Sequence, residues 1–175
     1  MMSTYFSDLH NKNVIVTGGS KGIGKEIALS FAKLGANVII IGRNKEALDQ
    51  TVGELEAYRG QHKAVGVDVN DIVSVRKIVD EVVSDFGSVD VLVNNAGIIK
   101  RVDAVDFTEE DWDSVMDVNL KTMFFLSQSF GRKALERGHG SVVNIASMLS
   151  FQGGIRVASY TASKSGVLGI TRLLA

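Results

Sequence analysis

Short runs of β-branched residues alternate with longer amphipathic stretches along nearly the whole chain, and this alternation restricts the fold more than any other feature. The runs predict five strands, at Asn13–Thr17, Asn37–Ile41, Lys63–Val67, Val89–Val93 and Gly140–Ile145. They are almost continuously apolar, which is typical of central, parallel strands covered on both faces. The sequence therefore predicts an α/β protein with a doubly wound parallel sheet.

Helical periodicity fills the intervals between the strands. In the first interval Ile23, Ile27, Phe31 and Leu34 recur on one helical stripe. Further helices are expected at Lys45–Tyr58, at Asp71–Phe86, from about Thr108 to Arg137, and from near Val157. With no linker, repeat or low-complexity segment in 175 residues, a single domain over residues 1–175 is the expectation.

Composition excludes several classes of function. A net charge of −1 gives no electrostatic reason to expect nucleic acid or an anionic membrane as a partner. The absence of cysteine removes thiol nucleophiles and thiolate metal sites, and we expect no metal. No apolar run approaches the roughly 18 residues of a membrane span, and the first residues do not resemble a signal peptide. A cytoplasmic location is therefore the expectation.

A glycine-rich turn, TGGSKGIG at positions 17–24, follows the first strand and opens the first helix. Glycines let the backbone approach a pyrophosphate, and the N–H groups at the helix start hold its charge. An ordinary flexible loop is the alternative, but its place between strand and helix favours nucleotide binding. The candidate phosphate-binding residues are Gly18, Ser20, Lys21, Gly22, Ile23 and Gly24.

The end of the second strand bears on which dinucleotide would bind. An NAD site normally has an acidic residue here for the ribose 2′-hydroxyl, but this chain has Gly42 followed by Arg43. Arg43 and Lys21 are two cations that suit a 2′-phosphate, so NADP is expected; the alternative is that Arg43 is a solvated loop residue. Asp68 and Val69, just past the third strand, are expected beside the adenine.

Tyr160 and Lys164 are four residues apart in a predicted helix, so they lie on one face. A cation one turn from a phenol favours the phenolate, and such a pair can transfer a proton. A surface helix pair without chemistry is the alternative for this motif taken alone.

Four separated motifs together resemble those of the short-chain dehydrogenase/reductase family. They are TGGSKGIG at 17–24, NNAG at 94–97, Asn119, and Ser147 placed 13 residues before Tyr160 and followed by Lys164. The resemblance implies a Rossmann-like fold, a hydride-transferring nicotinamide enzyme and a catalytic set of Asn119, Ser147, Tyr160 and Lys164. It also implies a homo-oligomer, either a dimer or a tetramer.

The resemblance assigns a role to each catalytic residue. Tyr160 is the general acid or base, and Ser147 hydrogen-bonds the substrate oxygen. Lys164 stabilises the phenolate and binds the nicotinamide ribose with Tyr160, while Asn119 holds a water that links Lys164 to solvent. It also places Asn95, Ala96 and Gly97 beside the cofactor.

A narrower resemblance, in IASMLSFQGGIRVASYTASKSG at 145–166 and NNAGIIKR at 94–101, is to dehydrogenases of sugar-acid catabolism. It implies a small carboxylate-bearing substrate, which needs a cation or amide donors. Lys100, Arg101, Gln152 and Arg156 lie in suitable loops; solvated loop positions are the alternative for each. Several such relatives use NAD, so NAD is the alternative cofactor.

Family members run to roughly 250 residues. We therefore expect five strands here, in the order 3-2-1-4-5, with the C-terminal strands and substrate lid missing and the fifth strand as an exposed edge. Three readings stay open: an active dehydrogenase, a module that binds cofactor without turnover, and a self-associating inactive fragment. We expect little activity from the 175 residues alone.

Overall fold

A five-stranded parallel sheet forms the centre of the computed structural model, which describes residues 4–69 and 71–175. Its strands are β1 Asn13–Thr17, β2 Asn37–Gly42, β3 His62–Gly66, β4 Val91–Asn94 and β5 Ser141–Asn144. The order is β3-β2-β1-β4-β5, and all four pairings are parallel. This confirms the predicted doubly wound, Rossmann-like sheet.

Six α-helices cover the two faces of the sheet in the described ranges. They are α1 Gly22–Lys33, α2 Lys45–Leu55, α3 Ile72–Phe86, α4 Glu109–Met116, α5 Thr122–Arg137 and α6 Ala158–Leu174. Asn44, Asp71 and Thr108 cap the starts of α2, α3 and α4 with side-chain oxygens. No helix in these ranges has the length and apolar character needed to cross a membrane.

Burial differs sharply between the central and the outer strands. β1 is buried along its whole length, and so are the apolar residues of β2 and β4. β3 and β5 form the two edges, as the predicted order requires, so the apolar character of their sequences does not by itself identify a central strand. On β5, Val142 is 37% and Val143 45% exposed. The fifth strand is thus the expected open edge.

The apolar stripe predicted for α1 is not its most buried face, although Ile27 and Phe31 pack against the core. The residues of α1 that are buried are Gly24, Ala28 and Ala32, because only small side chains let this helix lie close to the strands. Ile23 is 67% exposed. With Ile27, Phe31 and Leu34 it lines an outer groove beside a short 3₁₀ segment, Thr4–Leu9.

The single long helix expected from Thr108 to Arg137 is interrupted. A π-helical turn, Asp117–Lys121, separates α4 from α5 and contains Asn119. Such bulges need a local cause, and they occur frequently at functional sites. Here the buried Asn119 side chain forms hydrogen bonds with the backbone of the loop after β4. The turn therefore holds a polar side chain at a buried position, where a helix usually carries an apolar residue.

Candidate active site

The carboxyl ends of β1 and β4 are joined by a compact set of hydrogen bonds. Thr17 Oγ1 accepts from the backbone N–H groups of Asn95 (2.9 Å) and Ala96 (3.0 Å). Asn95 Nδ2 donates to the carbonyls of Thr17 (3.0 Å) and Gly18 (3.3 Å). The glycine-rich turn and the NNAG segment are therefore held as one unit.

The same turn leaves the start of α1 open to an anion. A Cβ on Gly24 would lie 2.3 Å from the Gly18 carbonyl oxygen and 2.4 Å from Asn95 Nδ2, so only glycine fits. Gly22 has φ +56° with open space where a side chain would stand. Lys21, at the N-cap of α1, makes no capping bond. Exposed N–H groups at a helix start suit a phosphate, so these residues fit a dinucleotide pyrophosphate.

A cleft of about 530 Å³ runs from this turn across the carboxyl edge of the sheet. It is lined by the predicted cofactor residues Gly18, Ser20, Lys21, Gly22, Ile23, Gly24, Arg43, Val69, Asn95, Ala96 and Gly97, with Gly42, Asn44, Ile98 and Val118. Asp68 instead lines an adjoining cavity of about 440 Å³, which shares Arg43 with the cleft.

The ammonium of Lys164 is buried near Gly97, which lines the cleft: a Cβ built on Gly97 lies 3.8 Å from Lys164 Nζ. Lys164 is 5% exposed, and its Nζ donates to the Ile145 carbonyl at 2.5 Å. Nζ lies 5.8 Å from the centroid of the Tyr160 ring, one helical turn away. Burial lowers the pKa of Lys164 from its ordinary value of 10.5. A cation held in this way can act on the phenol and on a ligand in the cleft.

Asn119 braces three elements around the lysine. Its Oδ1 accepts from Ile98 N (2.8 Å), and its Nδ2 donates to Ile98 O (2.9 Å) and Ser163 Oγ (3.2 Å). Ser163 Oγ in turn donates to Tyr160 O at 2.8 Å. Since the Asn119 side chain is fully engaged, the expected water-holding role would fall to its backbone.

Ser147 stands after β5, at the start of a short 3₁₀ turn, Met148–Ser150. Its Oγ accepts from Leu149 N at 3.2 Å, which uses an oxygen lone pair and leaves the hydroxyl proton available. The half-buried hydroxyl can therefore donate to an oxygen in the cleft as negative charge develops there.

The family profile described as short chain dehydrogenase matches residues 12–175. The chain belongs to the short-chain dehydrogenase family. Among its relatives, 2-dehydro-3-deoxy-D-gluconate 5-dehydrogenase of Dickeya dadantii is 47% identical, over 96% of this chain and 66% of its own length. The chain spans about two thirds of the length of the curated relatives it matches.

Two solved structures with a similar fold contain a nicotinamide cofactor. One, described as a candidate 2-deoxy-D-gluconate 3-dehydrogenase of Agrobacterium tumefaciens, contains NADP; it is 46% identical with a TM-score of 0.82, over 95% of this chain and 65% of the other. The other is an NAD⁺-bound xylitol dehydrogenase, 29% identical with a TM-score of 0.92, over 95% and 65%. Members of this short-chain dehydrogenase family thus bind either dinucleotide on this scaffold.

Of the four residues predicted to contact substrate, two are paired with carboxylates. Lys100 Nζ lies 2.7 Å from Asp111 Oδ1, and the hydrogen bond and charge of Asp111 raise the pKa of Lys100. Arg156 Nε lies 3.1 Å from Asp103 Oδ1. These pairs compete with a substrate carboxylate for the two cations. Exposed Arg101 and Gln152 stay the better candidates of the four.

Sequence reasoning missed the groups that position the catalytic set. The Ile145 carbonyl is a backbone group that leaves no signature in the sequence. Ser163 lies one residue before Lys164, and a short hydroxyl inside that motif was a signal that could have been used. The π turn at Asn119 had no such signal, because its cause is a contact with Ile98, 21 residues away.

The contacts of Gly24 generate a direct test of the phosphate site. Gly24→Ala should cost about 1–3 kcal/mol of stability by overpacking and should weaken NADP binding, because the new Cβ displaces the Gly18 carbonyl. The measurements are thermal unfolding and fluorescence titration with NADP. Gly53→Ala is the matched control, since Gly53 lies within α2 with nothing within 4 Å of its built Cβ. Equal NADP affinity in the two variants would contradict the assignment.

Proposed function

We propose that this chain is an NAD(P)-dependent oxidoreductase that transfers a hydride between the nicotinamide and a secondary alcohol or ketone of a gluconate-type sugar acid. One observation carries the proposal. Gly97 lines the cofactor cleft, and a Cβ built on it lies 3.3 Å from Asn119 Oδ1 and 3.8 Å from Lys164 Nζ. Asn119 and Lys164 of the proposed catalytic set therefore lie beside a residue that lines the cleft.

Each residue of the set has one task in this mechanism. When bound, the nicotinamide supplies or accepts the hydride. In ketone reduction, Tyr160 gives its phenolic proton to the carbonyl oxygen as the carbon becomes reduced; in alcohol oxidation, the phenolate takes the hydroxyl proton. Ser147 donates a hydrogen bond to the same oxygen, and the Lys164 cation stabilises the phenolate.

The substrate class rests on the relatives and on the loops beside the site. The Dickeya and Agrobacterium proteins are named for dehydrogenases of deoxygluconates. Arg101 and Gln152 supply a cation and an amide for a carboxylate and hydroxyl groups. A homo-oligomeric state and a cytoplasmic location belong to the same proposal and rest on family resemblance.

For the cofactor we propose NADP, with NAD as the alternative. Arg43 and Lys21 are exposed at the mouth of the cleft, and Gly42 stands where an acidic residue would bind a 2′-hydroxyl. The NADP-bound Agrobacterium relative supports this choice. The NAD⁺-bound xylitol dehydrogenase supports the alternative.

A second candidate function is cofactor binding without turnover. On the substrate side of the site, Met148, Phe151 and Ile155 are 74%, 77% and 88% exposed. An open site keeps water beside the reacting groups, which weakens charge stabilisation. NADP titration, with turnover of the 175-residue chain and of the same chain extended by the C-terminal third of the Dickeya relative, separates the two functions.

Tyr160→Phe tests the acid–base assignment. The variant should lose nearly all turnover of 2-keto-3-deoxygluconate, measured as the change in NADPH absorbance, because the phenylalanine ring has no proton to transfer. Its NADP affinity should stay close to that of the parent. The extended chain is the form to assay if the 175 residues alone turn over too slowly.

Lys164→Met should differ from Tyr160→Phe in its effect on cofactor binding. It should lower both turnover and NADP affinity, since the ammonium is expected to stabilise the Tyr160 phenolate and to bind the nicotinamide ribose. Turnover by Tyr160→Phe equal to that of the parent would remove Tyr160 from the mechanism.

Arg43→Asp tests the cofactor preference. A carboxylate repels a 2′-phosphate and accepts from a 2′-hydroxyl, so the ratio of dissociation constants for NADP and NAD should reverse. Both constants are measured at one ionic strength, because charge–phosphate contacts depend on salt. Arg59→Asp, the same substitution at an exposed position that lines neither the cleft nor the adjoining cavity, is the control. If the parent binds NAD as tightly as NADP, the charge argument is wrong.

A further inference from the structure

The Ser150 hydroxyl joins two residues of the proposed catalytic set. Its Oγ accepts from the backbone N–H of Ser147 at 3.2 Å and donates to the backbone carbonyl of Lys164 at 2.7 Å. Ser150 is half-buried, at the end of the 3₁₀ turn that Ser147 begins. One side chain therefore connects the loop after β5 to the helix that carries Tyr160 and Lys164.

The position of the Ser147 hydroxyl depends on the geometry of this turn. Ser147 Oγ accepts from Leu149 N while Ser150 Oγ accepts from Ser147 N, so the two serines cap the turn reciprocally. Such an arrangement satisfies two backbone donors and fixes the first side chain. Since Ser150 also bonds α6, the Ser147 hydroxyl is held at a defined place relative to Lys164.

A second bond between the same two elements is longer and does not reach Ser147. Ser165 Oγ, exposed on α6, donates to the Ser150 carbonyl at 3.4 Å. Ser165 is therefore a natural comparison: its hydroxyl joins the same turn to the same helix, but this bond involves neither the Ser147 N–H nor the Lys164 carbonyl.

We propose that Ser150 is a positioning residue, which holds Ser147 against α6 through its bond to the Lys164 backbone carbonyl without touching substrate or cofactor. The inference rests on the proposed function, because it assumes that Ser147 donates to the reacting oxygen. Without the Ser150 hydroxyl, the Ser147 N–H and the Lys164 carbonyl each lose a hydrogen-bond partner. The 3₁₀ turn that carries Ser147 can then shift relative to α6. A displacement of about 1 Å in a catalytic group can cost on the order of a hundredfold in rate.

The kinetic experiment compares Ser150→Ala with Ser165→Ala and Ser150→Thr. Ser150→Ala should lower kcat by about tenfold to a hundredfold with the NADP dissociation constant unchanged, because the phosphate turn is remote from this contact. Ser150→Thr keeps a hydroxyl and should recover most of the loss, and Ser165→Ala should stay within about twofold of the parent. An unchanged kcat in Ser150→Ala would overturn the proposal.

A double-mutant cycle separates positioning of Ser147 from a general loss of structure. In a Ser147→Ala background, Ser150→Ala should cause little further loss of kcat, because the group it positions is already gone. If the two losses multiply, Ser150 acts independently of Ser147 and the proposal is wrong.

Amide hydrogen exchange supplies a readout that does not need turnover. In Ser150→Ala, the Leu149 amide should exchange faster than in the parent, since its acceptor Ser147 Oγ is no longer held; in Ser165→Ala it should not change. A parent protein that, after extension by the C-terminal third of the Dickeya relative, binds NADP but reduces no sugar-acid ketone would contradict the proposed function alone. An unchanged Leu149 exchange rate in Ser150→Ala would contradict the positioning role alone.

Discussion

The buried ammonium of Lys164 is the constraint on which the rest of the site depends. Removing a charged group from water is costly, and the Ile145 carbonyl compensates only one of its three donors. That bond ties the residue after β5 to α6 and holds the ammonium near Gly97 and the Tyr160 ring. The positive charge is therefore held where it is expected to stabilise a phenolate and to bind ribose hydroxyls.

Charged side chains at the two ends of the parallel strands have different partners. At the carboxyl edge, the open start of α1 and the exposed Lys21 and Arg43 suit a phosphorylated ligand. At the amino edge, Asp90 is buried and binds Asn13 N at 2.9 Å and Arg137 at 2.9 Å. Burial alone would raise the pKa of Asp90, but these hydrogen bonds and the nearby cations hold it below its ordinary value. The interactions of Asp90 stabilise the fold, whereas Lys21 and Arg43 are exposed and can bind a ligand.

Local sequence patterns predicted the strands and helices, and the family resemblance implied the strand order; most residues proposed to bind the cofactor line one cleft. The β-branched runs and the glycine-rich turn act within a few residues of chain. Sequence reasoning failed where a distant contact decides the outcome. The α1 stripe was assigned by periodicity, but the most buried face of α1 carries Gly24, Ala28 and Ala32, and Ile23 is exposed. The Asp111 and Asp103 partners of Lys100 and Arg156 likewise appear only in three dimensions.

An NMR titration of the Lys164 ammonium, assigned by its loss in Lys164→Met, tests the burial of this group most directly. We expect a pKa below 10.5 in the folded protein, because burial favours the neutral amine. Since the unfolded chain then binds the proton more tightly, the free energy of unfolding should rise with pH between the lowered pKa and 10.5. Lys164→Met should lack this rise. A midpoint at the ordinary value would show a solvated ammonium and contradict the buried contact with Ile145.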